Sequence, residues 1–174
     1  MPNIKAFIAK HNKQILSPER INATSTCNCI NKENCPLNQN CLVSNVIYEA
    51  TIKSDLPNYH EKKYIGLCES TFKKRFARHK TSFNHERHKN DTALSTELWK
   101  VKEMKGIPTI NWRIVKKARS YTPESRHCSL CLTEKYEIAN YPEKNLLNKR
   151  SEIIAKCRHR RKYLLMLLNS EDNT

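Results

Sequence analysis

The stretch VIYEATIKSDLPNYHEKKYIGLC (residues 46–68) decides the fold. It contains two short runs that are rich in β-branched and aromatic residues, VIYEATI (46–52) and KYIGLC (63–68). The segment between them, KSDLPNYHE (53–61), contains the Asp, Pro and Asn residues that favour turns. The pattern therefore predicts a β-hairpin.

Beyond this hairpin, the spacing of the apolar residues predicts mainly helices. Phe72, Phe76 and Phe83 recur at near-helical spacing, with basic residues on the flanks. The segments predicted after the hairpin are a helix from Ser70-Thr71, a helix from Asp91-Thr92 to Gly106, a strand at 109–118, a helix at 131–141 and a further helix over 145–168. This order predicts an α+β fold with a small three-stranded antiparallel sheet flanked by helices.

Four regions follow from the composition along the chain. Residues 1–22 have apolar residues at helical spacing and are predicted to be an N-terminal helix or a remnant linker. Residues 23–45 are polar, carry four Cys without periodicity and are predicted to be a Cys-rich zinc knuckle. Residues 46–150 form the predicted core, and residues 151–174 a basic C-terminal helix.

The charge balance points to a polyanionic partner. Lys and Arg number 32 against 17 Asp and Glu, a formal net charge of +15. Such a chain attracts nucleic acid, with a solvated basic surface as the plain alternative. A membrane surface is disfavoured because the basic residues are spread over several segments. Only two Gly occur, which excludes a Gly-rich phosphate loop.

The eight Cys predict metal binding. No transmembrane run and no secretory signal are visible, so we expect a protein that is neither secreted nor in a membrane, in a reducing compartment where Cys bind metals. Zinc-like spacings occur at Cys27, Cys29, Cys35 and Cys41, at Cys128 and Cys131, and at Cys157 and His159. Either these groups form two separate structural zinc sites, or they mix and clamp the knuckle onto the core. His127 is an alternative to His159, and the isolated Cys68 is predicted to be a core residue.

Five motifs in order resemble the GIY-YIG nuclease family over residues 46–150. They are Val46-Ile47-Tyr48, Tyr64-Ile65-Gly66, Arg75 in TFKKRFARH, Glu134 in LTEKYEI and Asn148 in NLLNKR. The family usually has Gly where this chain has Val46. The flanking segments rich in Cys and His resemble the version of this nuclease that Penelope-like retroelements carry.

The resemblance implies a Mg²⁺-dependent endonuclease that nicks DNA. Tyr48 would take a proton from water, helped by Tyr64, and Lys63 or Arg75 would lower the high pKa of a tyrosine. Arg75 would also bind the scissile phosphate. Glu134 lies one helical turn from Leu130 and Ile138, at the margin of a buried face, and would hold the Mg²⁺. His79 follows Arg75 by one turn and would assist proton transfer or contact phosphate.

DNA is the expected partner, together with a reverse transcriptase encoded by the same element. The expected DNA-contacting residues are Lys73, Arg78, His88 and Asn148. Basic residues cluster at 71–89 and at 156–162, and residues 158–162 would also suit nuclear import. The competing hypothesis is a zinc-stabilised nucleic-acid-binding module without catalysis, which Val46 favours. A zinc-knuckle module that binds other proteins fits the net charge of +15 less well.

Overall fold

The computed structural model describes residues 3–16, 26–121, 127–157 and 159. Its fold is α+β, with a three-stranded antiparallel sheet flanked by helices and a Cys cluster N-terminal to the sheet. The predicted fold class is therefore confirmed. Within the described ranges, no helix is long and apolar enough to cross a bilayer.

The sheet has the order β2-β1-β3. Its strands are β1 (Val46–Ser54), β2 (Lys62–Cys68) and β3 (Pro108–Lys117). The predicted hairpin of β1 and β2 is present, with Tyr48 opposite Gly66. The central strand β1 is covered on both faces, and its residues 46–50 are all buried.

Helices cover both faces of the sheet. The helices are α1 (Ile4–Leu16), α2 (Phe72–Asn84), α3 (Ala93–Glu103), α4 (Ser129–Ala139) and α5 (Arg150–Ile154), of which α1 contributes no described residue to either core. Because side chains alternate along a strand, Tyr48, Ala50 and Ile52 pack with α2 and α3, whereas Ile47 and Ile65 pack with α4. The sheet is thus the middle layer between two small cores.

The Cys-rich segment holds the start of α2. The amide of Phe72 donates to the carbonyl of Val43, and the amide of Lys73 donates to that of Cys41, both at 2.8 Å. These amides would otherwise lack partners, since the first turn of a helix has no intrahelical acceptors. Thr71, at the predicted start of this helix, makes no side-chain capping bond, because carbonyls of the Cys-rich segment accept the first helical amides instead.

The C-terminal helix is shorter than predicted. The structure ends α5 at Ile154, and residues 155–157 are not helical. A helix over 145–168 would carry Cys157 and His159 away from Cys128 and Cys131, which they meet in the structure. Apart from His159, the basic residues of 158–162 and the rest of the predicted helix lie outside the described residues.

The space around Gly66 in the hairpin is filled by neighbouring side chains. A Cβ at Gly66 would lie 2.5 Å from the Tyr48 Oη and 2.6 Å from its Cζ. Tyr48 is fully buried against Phe72 and Trp112, so its ring has little room to move. We expect Gly66→Ala to lower the free energy of unfolding by about 1–3 kcal/mol through overpacking, measured by urea denaturation.

Gly106→Ala is the comparison variant. A Cβ there would meet the Leu56 Cγ at 2.6 Å, but Leu56 is only half-buried and its side chain can rotate away. The loss of stability should therefore be smaller for Gly106→Ala than for Gly66→Ala. Equal losses would contradict the rigid packing inferred around Tyr48.

Candidate active site and metal clusters

Three predicted site residues form one buried hydrogen-bonded group. The Nε of Arg75 donates to the Tyr48 Oη at 2.9 Å, and the Tyr48 Oη lies 2.8 Å from the His79 Nε2. Tyr48 and His79 are buried, and Arg75 is half-buried. Arg75 and His79 both reach Tyr48 because they are one turn apart on α2. The group therefore joins the first motif strand to the helix that follows the hairpin.

The environment of this group raises the pKa of Tyr48 instead of lowering it. Burial raises this pKa to about 12, although the guanidinium of Arg75 opposes the shift. Lys63, the other residue expected to lower it, pairs instead with Glu49 at 3.9 Å on the opposite face of the sheet. For His79, burial and then the charge of Arg75 lower the pKa to about 3. His79 is thus neutral at pH 7, and its Nε2 can accept a hydrogen bond from the Tyr48 hydroxyl.

Glu134 reaches this group around the edge of the sheet. Helix α4 packs on the face opposite α2, but Glu134 lines the same cavity as Leu67 of the edge strand β2, whose backbone N–H lowers the pKa of the Glu134 carboxyl. Burial and the neighbouring carboxylate of Glu152 raise the pKa of Glu134 to about 7, against the effects of the Leu67 amide and Arg75. A carboxylate with this environment favours a proton or a cation.

A cavity of about 710 Å³ connects these residues. Its wall includes Tyr64, Arg75, Glu134 and Glu152. Tyr64 is the motif tyrosine that lines it, whereas Tyr48 lies beneath with no exposed surface. Burial and the nearby Tyr48 raise the pKa of Tyr64. Besides one guanidinium and one phenol, the wall includes four carboxylates, since Asp91 and Glu97 also line the cavity.

Asn148 clamps the edge of the sheet. Its Oδ1 accepts the amide of Ile65 at 2.7 Å, and its Nδ2 donates to the carbonyl of Ile65 at 2.8 Å. The same Nδ2 donates to Glu152 at 2.7 Å. The sequence analysis did not identify Glu152. Its spacing of four residues from Asn148, within a predicted helix, indicates that the two side chains can meet. The structure thus gives Asn148 a positioning contact within the protein.

The other predicted DNA-contacting residues lie apart from this group. Lys73 donates to the backbone and side-chain oxygens of Asn28 at 3.1 and 2.7 Å, which ties α2 to the knuckle. Arg78 is exposed on α2. His88 pairs with Asp91, Nδ1 to Oδ2, at 3.1 Å. Of these residues, only Arg78 is both charged and fully exposed.

The N-terminal cysteines form one compact cluster. The sulfur atoms of Cys27, Cys29, Cys35 and Cys41 lie within 4.8 Å of one another, with separations of 3.5–3.7 Å for three pairs. A tetrahedral zinc with Zn–S bonds of about 2.3 Å places its sulfurs about 3.8 Å apart. Burial and the other three sulfurs raise the pKa of Cys41 to about 12, a repulsion that a divalent cation would remove. The donor set fits a metal such as zinc.

Cys128, Cys131, Cys157 and His159 form the second cluster, again with ligand atoms within 4.8 Å of one another. The Nδ1 of His159 lies 3.4 Å from the sulfur of Cys128 and 3.1 Å from that of Cys131. Of the two pairings left open by the sequence, the structure has the two separate sets, with His159 and not the exposed His127. Cys68 is buried and belongs to neither cluster, as predicted.

Comparisons of the chain with protein-family models, with curated proteins and with solved structures found no match.

Metal content should follow the two clusters. We expect two metal ions per chain in the purified protein, because each cluster offers four closely spaced ligands. Cys41→Ser and Cys128→Ser should each remove one ion, as measured by elemental analysis. Cys68→Ser, at a buried cysteine outside both clusters, is the matched control and should retain two. A folded protein without metal would contradict the prediction.

The raised pKa of Glu134 has a consequence for stability. The folded state binds the Glu134 proton more tightly than the unfolded chain, so stability falls as pH rises from 4.5 to about 7. At pH 8 without added Mg²⁺, and with the Cys clusters loaded, Glu134→Gln should therefore raise the free energy of unfolding, on the order of 2 kcal/mol. Near pH 4 the gain should vanish. Denaturant titrations at both pH values measure it.

Glu137→Gln provides the control on the same helix. Glu137 pairs with Lys116 at 3.4 Å, away from Glu134 and Glu152. This variant should show no gain in stability at pH 8. A Glu134→Gln protein that is no more stable than the parent at pH 8 would show that Glu134 is not strained by its surroundings.

Proposed function

We propose that this protein is a divalent-metal-dependent DNA endonuclease that cleaves a phosphodiester bond and nicks its substrate. The observation that carries the proposal is the shared cavity of Arg75, Tyr64 and Glu134, with Tyr48 and His79 directly behind Arg75. These residues come from β1, β2, α2 and α4, and side chains of this chemistry suit phosphoryl transfer.

Positive charge supports DNA as the substrate. The chain carries a formal +15, and exposed basic residues on α2 include Lys74 and Arg78. Lys149 and Lys156 add positive charge at the wall of the cavity. Contacts of this kind bind phosphates without reading bases. Neutralisation of about six phosphates would give a salt dependence with a log–log slope of roughly −5.

Arg75 is the proposed phosphate ligand. Its Nε donates to Tyr48, which fixes the plane of the guanidinium at the cavity wall. The terminal amino groups would then donate to two oxygens of the scissile phosphate. Lys cannot reproduce this two-point contact, because its ammonium is a single charge on a flexible stem.

Tyr48 and His79 provide a route for the proton of the attacking water. Because Tyr48 has no exposed surface, this route requires the water to reach the Tyr48 Oη past Arg75. As Tyr48 accepts the water proton, its own proton passes to the Nε2 of His79, 2.8 Å away, so that no free tyrosinate forms, which the raised pKa of Tyr48 disfavours. Burial and then the charge of Arg75 lower the pKa of His79, and a phosphate bound by Arg75 would offset the second of these two effects.

Glu134 and Glu152 are the proposed holders of one Mg²⁺. The two carboxylates line the same cavity, and a cation between them would relieve both causes of the raised pKa of Glu134, its burial and its repulsion by Glu152. When bound, the ion would supply positive charge for the phosphate and the leaving oxygen. Zinc is proposed for the two Cys clusters, in a structural role, because thiolates suit zinc and oxygen ligands suit magnesium.

The resemblance to the nuclease of Penelope-like retroelements supports a role in nicking chromosomal DNA for such an element. A reverse transcriptase encoded by the same element is the proposed partner, and the nucleus the proposed location. One observation favours the second candidate function, a nucleic-acid-binding module without catalysis: Tyr48 has no exposed surface. In that case the same basic residues would bind DNA, and the cavity would have no substrate.

Nicking of supercoiled plasmid in the presence of Mg²⁺ tests the proposal. Arg75→Ala and Glu134→Ala should each reduce the nicking rate by at least about 100-fold, since each removes charge stabilisation at the phosphate. Arg78→Ala and Glu137→Ala are matched controls on the same two helices, with side chains outside the cavity wall. They should retain nicking within a few-fold.

Two other outcomes would count against the endonuclease proposal. Equal nicking by the parent, Arg75→Ala and Glu134→Ala would indicate a contaminating nuclease and would reject the proposal. DNA binding without nicking, measured by gel shift with folded, metal-loaded protein, would instead support the non-catalytic module.

A further inference from the structure

The imidazole of His159 lies between three thiols and a carboxylate. Its Nδ1 faces the sulfur atoms of the second cluster at 3.1–3.7 Å. On the other side of the ring, the Nε2 lies 3.5 Å from the Oε2 of Glu69, an ion-pair distance. His159 is largely buried, with 14% of its side chain exposed, so the ring has a restricted orientation.

We propose that Glu69 is a positioning residue for the second metal cluster. Its carboxylate accepts the Nε2–H of His159 and so keeps the Nδ1 lone pair directed at the metal. A neutral imidazole has one N–H and one lone pair, and the partner of the N–H decides which nitrogen can bind a metal. A carboxylate partner also makes the ring a stronger ligand.

Glu69 joins the cluster to the start of the Arg75 helix. It lies in the turn between β2 and α2, where its carbonyl accepts the amide of Asn45 at 3.2 Å. The first cluster contacts the same turn from its other end, through the bond from the Lys73 amide to the Cys41 carbonyl. A metal in the second cluster therefore links this turn, through His159 and Glu69, to helix α4.

The second cluster also borders the cavity. Cys131, Cys157 and His159 contribute to its wall, and Glu134 follows Cys131 by three residues on α4. Lys135 donates to the carbonyl of Ala155 at 2.6 Å, which fastens the segment before Cys157 to the same helix. Correct placement of His159 by Glu69 thus fixes one wall of the cavity.

Cobalt titration of the chelator-stripped 174-residue chain tests the proposal. Co²⁺ bound by thiolates has strong visible absorption, so both clusters can be followed and their affinities measured by competition with a chelator. Glu69→Ala should weaken one of the two sites by about 10–100-fold and leave the other unchanged. Glu69→Gln should have a smaller effect, since the amide oxygen still accepts but carries no charge. Glu33→Gln, at an exposed residue of the first cluster's loop, is the matched control and should change neither site.

A double-variant cycle separates positioning of His159 from a general effect on the fold. In a His159→Cys background the second site has four sulfur ligands and no imidazole, so adding Glu69→Ala should not change its Co²⁺ affinity. An equal loss of affinity in both backgrounds would overturn the proposal, as would parental affinity at both sites in Glu69→Ala. Because metal affinity is the readout, the result does not depend on whether the protein nicks DNA.

Discussion

The outward-facing backbone of the edge strand β2 is the constraint on which the site depends. In the described part of the chain its outer side has no neighbouring strand, and buried groups of this kind must be hydrogen-bonded. Two partners provide these bonds: the Leu147 amide donates to the Lys63 carbonyl, and the Asn148 side chain bonds the amide and carbonyl of Ile65. This requirement brings the segment 146–152 around to the edge, where Glu152 joins Glu134 and Arg75 in the cavity wall.

The two ligand clusters lie where the hydrophobic core contributes little. The two cores on the faces of the sheet are modest, and the segment 26–45 packs few apolar side chains. Metal binding supplies folding free energy in such segments. The first cluster positions the N-terminus of α2, and the second joins α4 to the chain after α5. Both clusters therefore help to position helices, α2 and α4, whose side chains line the cavity.

The sequence pattern predicts where most helices and strands lie, but it does not predict how deeply their side chains are buried. The hairpin of β1 and β2, the strand β3 and the helices α2, α3 and α4 follow from periodicity and turn residues. The end of α5 at Ile154 does not, because tertiary contacts of Cys157 and His159 override local helix propensity there.

The same distinction applies to the site. The motif order nominated Tyr48, Arg75 and His79, which the structure brings into one hydrogen-bonded group. The raised pKa of Tyr48 could not be predicted from the sequence, because burial depends on packing from four separate segments. Glu69 and Glu152 were missed for a related reason, because the partner of each is distant along the chain: His159 lies 90 residues after Glu69, and Glu134 lies 18 residues before Glu152.

The strand β3 forms the other edge of the sheet. In the described part of the chain it pairs only with β1, so its outer side offers a long row of hydrogen-bonding groups to any second molecule. Arg113 and Lys116 on this strand pair with Glu49 and Glu137, so little of their charge is left to repel a second such strand. Lys117, exposed at the end of the strand, is a charged edge residue of the kind that disfavours edge-to-edge pairing.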